Sequence, residues 1–66
     1  MKPHEERVVA EANELREKLT KLTAFICKGE AFTSLDLENQ QLLRRQRDLM
    51  GEYLDVLGER IKLFPA

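Results

Sequence analysis

The sequence lacks almost every covalent or metal staple that usually holds a small fold together. Cys27 is the only cysteine among 66 residues. No disulfide can form within the chain, and a lone thiol suits a reducing compartment. His4 is the only histidine. It and Cys27 stand near opposite ends of one helical segment, so they cannot meet around a zinc ion within a single chain. There is no tryptophan, and Tyr53 is the only tyrosine. Charge of one sign is also lacking: 11 basic residues against 12 acidic ones give a net charge of −1. That balance makes no overall field for nucleic acid or an anionic membrane. No apolar run approaches the roughly 18 residues that span a bilayer. The opening Met-Lys-Pro-His-Glu-Glu-Arg has no apolar signal core, so export is not expected.

Catalytic motifs are missing too. There is no P-loop, no HExxH, no paired cysteines and no Ser–His–carboxylate set able to meet around one pocket. A non-enzymatic protein without metal or cofactor is expected, placed in the cytoplasm.

What is present is periodicity. Hydrophobic residues make up 42% of the chain and charged residues 35%, with two prolines and three glycines. The first helix is expected at about 3–28. Pro3 suits its first turn, Glu5 and Glu6 favour its N-terminal dipole, and Lys28-Gly29 reads as a basic last turn with a left-handed cap. Val8, Ala12, Leu15, Leu19, Leu22 and Ile26 form an unbroken heptad seam, widened by Val9 and Phe25. Glu11, Glu14, Lys18 and Lys21 fall on the opposite face, with Glu14 and Lys18 at i,i+4. A turn is expected at about 29–34. Thr33, Ser34 and Asp36 all qualify as the next N-cap, and Phe32 can staple onto Leu37 or onto the end of the first helix. The second helix is expected at about 35–63, ended by Pro65. Together these give a single all-α domain, an antiparallel two-helix hairpin.

The second helix carries more apolar surface than one partner covers. Leu43, Met50, Leu54, Leu57, Ile61 and Phe64 form one seam, interrupted by Arg47. Leu42, Leu49, Val56 and Leu63 form another at strict sevens, with Tyr53 beside it. Burying one such side chain is worth about 1.5–3 kcal/mol, and a domain this small holds roughly 3–5 kcal/mol in total. Self-association into a helical-bundle oligomer is therefore expected. Its interface would comprise Leu42, Leu49, Val56 and Leu63, with Gly51 and Gly58 allowing close helix approach. A smooth shelf for a flat ligand and simple tolerance are the other readings of the two glycines.

Five residues are candidates for a ligand. A closed hairpin brings His4 and Arg7 near Arg60 and Lys62, beside outward-pointing helix amides that suit an anion. A solvated end salted by Glu5, Glu6 and Glu59 is the plain alternative. Tyr53 is read either as core packing with its hydroxyl at the surface or as a stacking platform for a base. Arg44, Arg45 and Arg47 form a local basic patch, read chiefly as a solvated face. Arg47, at a seam position, could pair with a neighbouring subunit's carboxylate. Cys27 is expected to pack as a small apolar residue near the turn.

The run Pro-His-Glu-Glu-Arg-Val-Val (Pro3 to Val9) continues with Glu14-Leu15, Lys18-Leu19-Thr20-Lys21-Leu22 and Phe25-Ile26. With the closing Met50, Tyr53, Leu54, Leu57, Arg60-Ile61 and Phe64, it resembles short helical proteins encoded by tailed phages and prophages. In size and architecture the chain is also similar to phage anti-CBASS sponges, small hairpin proteins that assemble into multimers, often hexamers. Sponges hold cyclic oligonucleotide immune signals without cleaving them. The resemblance implies an anti-defence protein of the bacterial host cytoplasm. Its partners would be its own copies and a cyclic di- or trinucleotide bound between subunits. A protein-binding inhibitor or adaptor that docks the spare stripe on a host protein is the competing expectation.

Overall fold

A computed structural model describes residues 1–65. Three helices follow one another: α1, Pro3–Lys28; α2, Glu30–Thr33; and α3, Leu37–Lys62. No strand occurs among the described residues. The result is a rod of 47 × 14 × 14 Å, as expected for helices of 26 residues rising about 1.5 Å per residue.

The ends of α1 follow from local chemistry. Pro3 occupies the first turn, and the backbone N–H of Lys2 donates to Glu5 Oε1 at 2.9 Å. That contact removes one orphan donor at the helix start and leaves Glu5 buried. At the far end Gly29 takes φ 33°, ψ 1°, a left-handed conformation that a side chain would strain.

The connection is more ordered than a plain turn at 29–34. It holds α2, four residues long. Ser34 Oγ donates to the Glu30 carbonyl at 2.7 Å and Thr33 Oγ1 to the same oxygen at 3.2 Å. Both hydroxyls are thus engaged in closing α2, and Asp36 becomes the N-cap of α3. Its carboxylate accepts from the Asn39 N–H at 3.1 Å. The second long helix accordingly begins at Leu37, two residues later than expected, and ends at Lys62 with Leu63 as its cap. Gln40 Nε2 donates to the Leu35 carbonyl at 2.8 Å, which ties the new helix back to the connection.

Phe32 is buried in this corner and packs edge-on against Phe25, centroids 6.1 Å apart at 89°. Its contact is therefore with the end of α1, while Leu37 stays 74% exposed. The Arg44 guanidinium lies 5.1 Å from the Phe32 ring centroid, a cation–π contact. Cys27 is exposed, contrary to the packing expected of it. It follows Ile26 by about 100° of helix rotation and so misses the seam.

α1 packs against α3. Val8 and Ala12 meet Leu57 in the core, flanked by Leu15, Leu54, Ile61 and Phe64. Leu19 and Thr23 share a depression with Arg47, Asp48 and Gly51. The meeting faces thus hold Val8, Ala12 and Leu15 of one heptad seam and Leu54, Leu57, Ile61 and Phe64 of the other, while Met50, read with the second seam, lines the open depression beside Leu42 and Leu49. The other stripe of α3 is left open: Leu42, Leu49, Val56 and Leu63 are 53–84% exposed. A Cβ placed on Gly51 or Gly58 would meet nothing within 4 Å, so neither glycine is needed for packing within the chain.

Candidate functional site

The candidate site is built on the edge where α1 and α3 run side by side. The Tyr53 hydroxyl donates to Glu11 Oε2, which links the middle of α3 to the first half of α1. The hydrogen bond to Glu11 is the largest cause that raises the Tyr53 pKa above its ordinary 10.0. Slight desolvation and the Glu11 charge add to it, and Arg60 opposes it. That opposing influence places Arg60 in the same electrostatic neighbourhood. Arg60 also lies two heptads' worth of phase-matched turns from Gln46 and one from Tyr53, on the same face.

On α1, His4, Arg7 and Glu11 follow at i, i+3 and i+7, the spacing of one helix face. His4, Arg7, Tyr53 and Arg60 are all exposed. They therefore share one side of the helix pair, with the Tyr53–Glu11 contact between them. Lys62 does not join them. It stands nine residues after Tyr53, about two and a half turns, on the opposite side of α3. There its Nζ pairs with Glu59 at 3.4 Å.

Glu11 is the residue that sequence reasoning missed. Periodicity puts it on the solvated face, yet it precedes the seam residue Ala12 and so sits at the seam's margin, where α3 can reach it. Its acceptance of the Tyr53 proton makes the tyrosine a fixed rather than a swinging platform. Ultraviolet titration of this single tyrosine is expected to show a midpoint above 10, and Glu11→Gln should lower it. An unshifted midpoint in both proteins would show that the contact does not persist in solution. The sign follows from linkage. A raised folded-state pKa contributes stability below the unfolded value, and that stability is lost as pH climbs through the folded one.

The basic patch near the connection divides on inspection. Arg44 covers Phe32. Arg47 Nε pairs with Asp48 of its own chain at 3.2 Å, so no neighbouring subunit is needed to satisfy it. Arg45 lines an open apolar depression with Leu42, Gln46, Leu49, Met50 and Tyr53. This depression joins the exposed stripe to the tyrosine, which makes the stripe and the candidate site one continuous surface.

Among the described residues no cluster of His, Cys, Asp and Glu could hold a metal ion, and no helix is long and apolar enough to cross a membrane. Compared with known proteins, the chain matches a family model described as Sequestin over residues 2–63. No curated protein and no solved structure gives a significant match. The family model runs through α1, α2 and α3 and takes in every residue of the candidate site, so the chain belongs to the Sequestin family.

Proposed function

We propose that this protein is a non-catalytic sequestering protein of phage or prophage origin. Acting in the bacterial cytoplasm as a closed antiparallel hairpin assembled into a homo-oligomer, it holds a cyclic nucleotide immune signal. The observation that carries the reading is the Sequestin match across nearly the whole chain, whose name denotes sequestration. The side of the helix pair bearing His4, Arg7, Tyr53 and Arg60 supports it. Two arginines suit bidentate contact with phosphate oxygens, and a tyrosine held by Glu11 offers a base a stacking face at little entropic cost. Neither group need act as acid, base or nucleophile. Binding alone lowers the free signal.

The test is native mass spectrometry of the protein with a panel of cyclic di- and trinucleotides. A closed oligomer carrying unaltered nucleotide is expected. The double variant Arg7→Ala/Arg60→Ala should keep its helical circular dichroism and lose at least about tenfold in affinity, the equivalent of 1.4 kcal/mol. Undiminished binding in that variant would refute the site. A chain that binds none of the panel would refute the function.

A further inference from the structure

We propose that Glu11 selects the base of the ligand, and that the nucleotide stacked on Tyr53 is a guanine nucleotide, read along its N1–H and N2–H edge. The inference rests on the sequestering function proposed above and names the base that such a function takes.

Glu11 is an unexpected neighbour for an anionic ligand. It shares a side of the helix pair with His4, Arg7 and Arg60, yet a carboxylate repels phosphate. Its Oε2 accepts the Tyr53 hydroxyl, which holds the carboxylate at the hydroxyl end of the ring. A carboxylate has about four lone-pair sites and no hydrogen to give. One site is taken here, and among the described residues no other side chain donates to Glu11. The rest of the carboxylate is an unpartnered acceptor beside a ring that is 45% exposed. Next to that ring lies the open depression lined by Gln46, Leu49 and Met50, which leaves room for a flat base.

Bases differ in what they offer such an acceptor. Guanine presents two adjacent donors, N1–H and N2–H, which Oε1 and the remaining lone pair of Oε2 accept together. Adenine and cytosine present one amine beside a ring-nitrogen acceptor, and uracil one N–H between two carbonyls. In those three a lone pair faces the carboxylate, so one contact forms and its neighbour is repulsive. Reading a base along this edge while it stacks on an aromatic ring is how unpaired nucleotides are commonly discriminated.

The cations lie where the phosphates of that nucleotide fall. Arg7 precedes Glu11 by four residues, about 6 Å of helix rise. Arg60 follows Tyr53 by seven, about 10 Å of rise. Met1, Lys2 and Glu5 share a depression with Pro65, so both arginines lie toward the same end of the molecule from the Tyr53–Glu11 contact. Among the described residues neither arginine forms an ion pair. The side is thus divided: an acceptor and a ring for the base, then two guanidinium groups for phosphate, one to two turns away.

Calorimetric titration of the full chain with cyclic di-GMP, cyclic di-IMP and cyclic di-AMP tests the assignment. Cyclic di-GMP is expected to bind at least about fivefold more tightly than cyclic di-AMP, the lower end for a bidentate base contact. Hypoxanthine keeps N1–H and lacks the N2 amine, so cyclic di-IMP should fall between them. Glu11→Gln still accepts the tyrosine hydroxyl but presents one donor and one acceptor, the complement of adenine, and should reverse the order. Glu11→Ala should level it. Tyr53→Phe keeps the ring and the carboxylate and should retain the guanine preference. Circular dichroism verifies that each variant is folded, and the three-ligand comparison on the parent needs no variant. Equal binding of the three ligands by the parent would overturn the proposal, as would an unchanged order in Glu11→Gln. Loss of the preference in Tyr53→Phe as complete as in Glu11→Ala would also overturn it, because Glu11 would then serve only to hold the ring. Tight binding without base preference would sink this inference and leave the sequestering function standing, whereas a chain that binds none of the three or any other cyclic nucleotide would sink both.

Discussion

Leu57→Ala is expected to unfold most of the isolated chain at 25 °C. Among the described residues Leu57 is the one large side chain with no exposed surface, and it is the α3 residue against which Val8 and Ala12 pack. Cutting a buried leucine to alanine costs about 2–5 kcal/mol, the larger values where the surroundings cannot collapse into the space. Collapse is restricted here. Ala12, on the facing helix, offers only a methyl group, and Leu15, Leu54, Ile61 and Phe64 are the rim of the cluster rather than a second layer. A chain of this size holds roughly 3–5 kcal/mol, so the loss consumes most of the total. Far-ultraviolet circular dichroism at low micromolar concentration, where association adds little stability, should show helicity falling to a minor fraction of the parent's. Val56→Ala is the matched control. It is the preceding residue on the same helix and is 54% exposed, and alanine is the better helix former. Its helicity should be unchanged within error. A folded Leu57→Ala chain with parental denaturant midpoint would show that the α1–α3 core is not what holds the monomer.

The long helices were legible because single residues marked their ends. Pro3, the Lys28-Gly29 pair and the seam from Val8 to Ile26 placed α1 with no competing reading, and the structure has it at Pro3–Lys28. The start of α3 was ambiguous because three residues could cap it. Which one does depends on α2, whose closing carbonyl takes the Thr33 and Ser34 hydroxyls and leaves Asp36 free to cap. A four-residue helix has no periodicity to read, so that competition was hidden. The candidate site divides along similar lines. Helix phase alone puts His4 and Arg7 on one face of α1 and Tyr53 and Arg60 on one face of α3, and the Tyr53–Glu11 contact joins the two. Nearness in the chain groups Lys62 with them, but two residues of a helix separate it from Arg60 by about 200°. Glu11 was invisible for a different reason. Whether a margin residue meets solvent or a neighbour depends on how the two helices rotate against each other, and heptads define a stripe without defining that rotation. Cys27 failed on the same kind of uncertainty, one position beyond the seam.

Phe32→Ala is expected to open the connected end of the molecule at a cost of about 3 kcal/mol, the lower part of the range for a buried phenylalanine. The lower part applies because the pocket is at an end, and Phe25, its nearest aromatic neighbour, is itself 41% exposed, so solvent can partly refill the space. Phe32 nevertheless joins all three helices. It belongs to α2, meets Phe25 of α1 edge-on and lies under Arg44 of α3. Without the ring, nothing apolar in α2 anchors the connection, since Phe32 is the only buried residue there. The Asp36 cap and the Gln40 contacts then lose the fixed approach they depend on. Arg44→Ala should cost much less, about 0.5–1 kcal/mol for an exposed cation–π contact, and Phe32→Leu should recover most of the loss by refilling the pocket without the aromatic edge. Urea denaturation should rank the variants Phe32→Ala, Phe32→Leu and Arg44→Ala from least stable upward. Hydrogen exchange should localise the effect of Phe32→Ala, with amides from Gly29 to Gln41 losing protection before those around Leu57. Uniform loss along both long helices would instead mean that the corner and the core fold as one unit, and that Phe32 acts on the whole helix pair and not on its connected end.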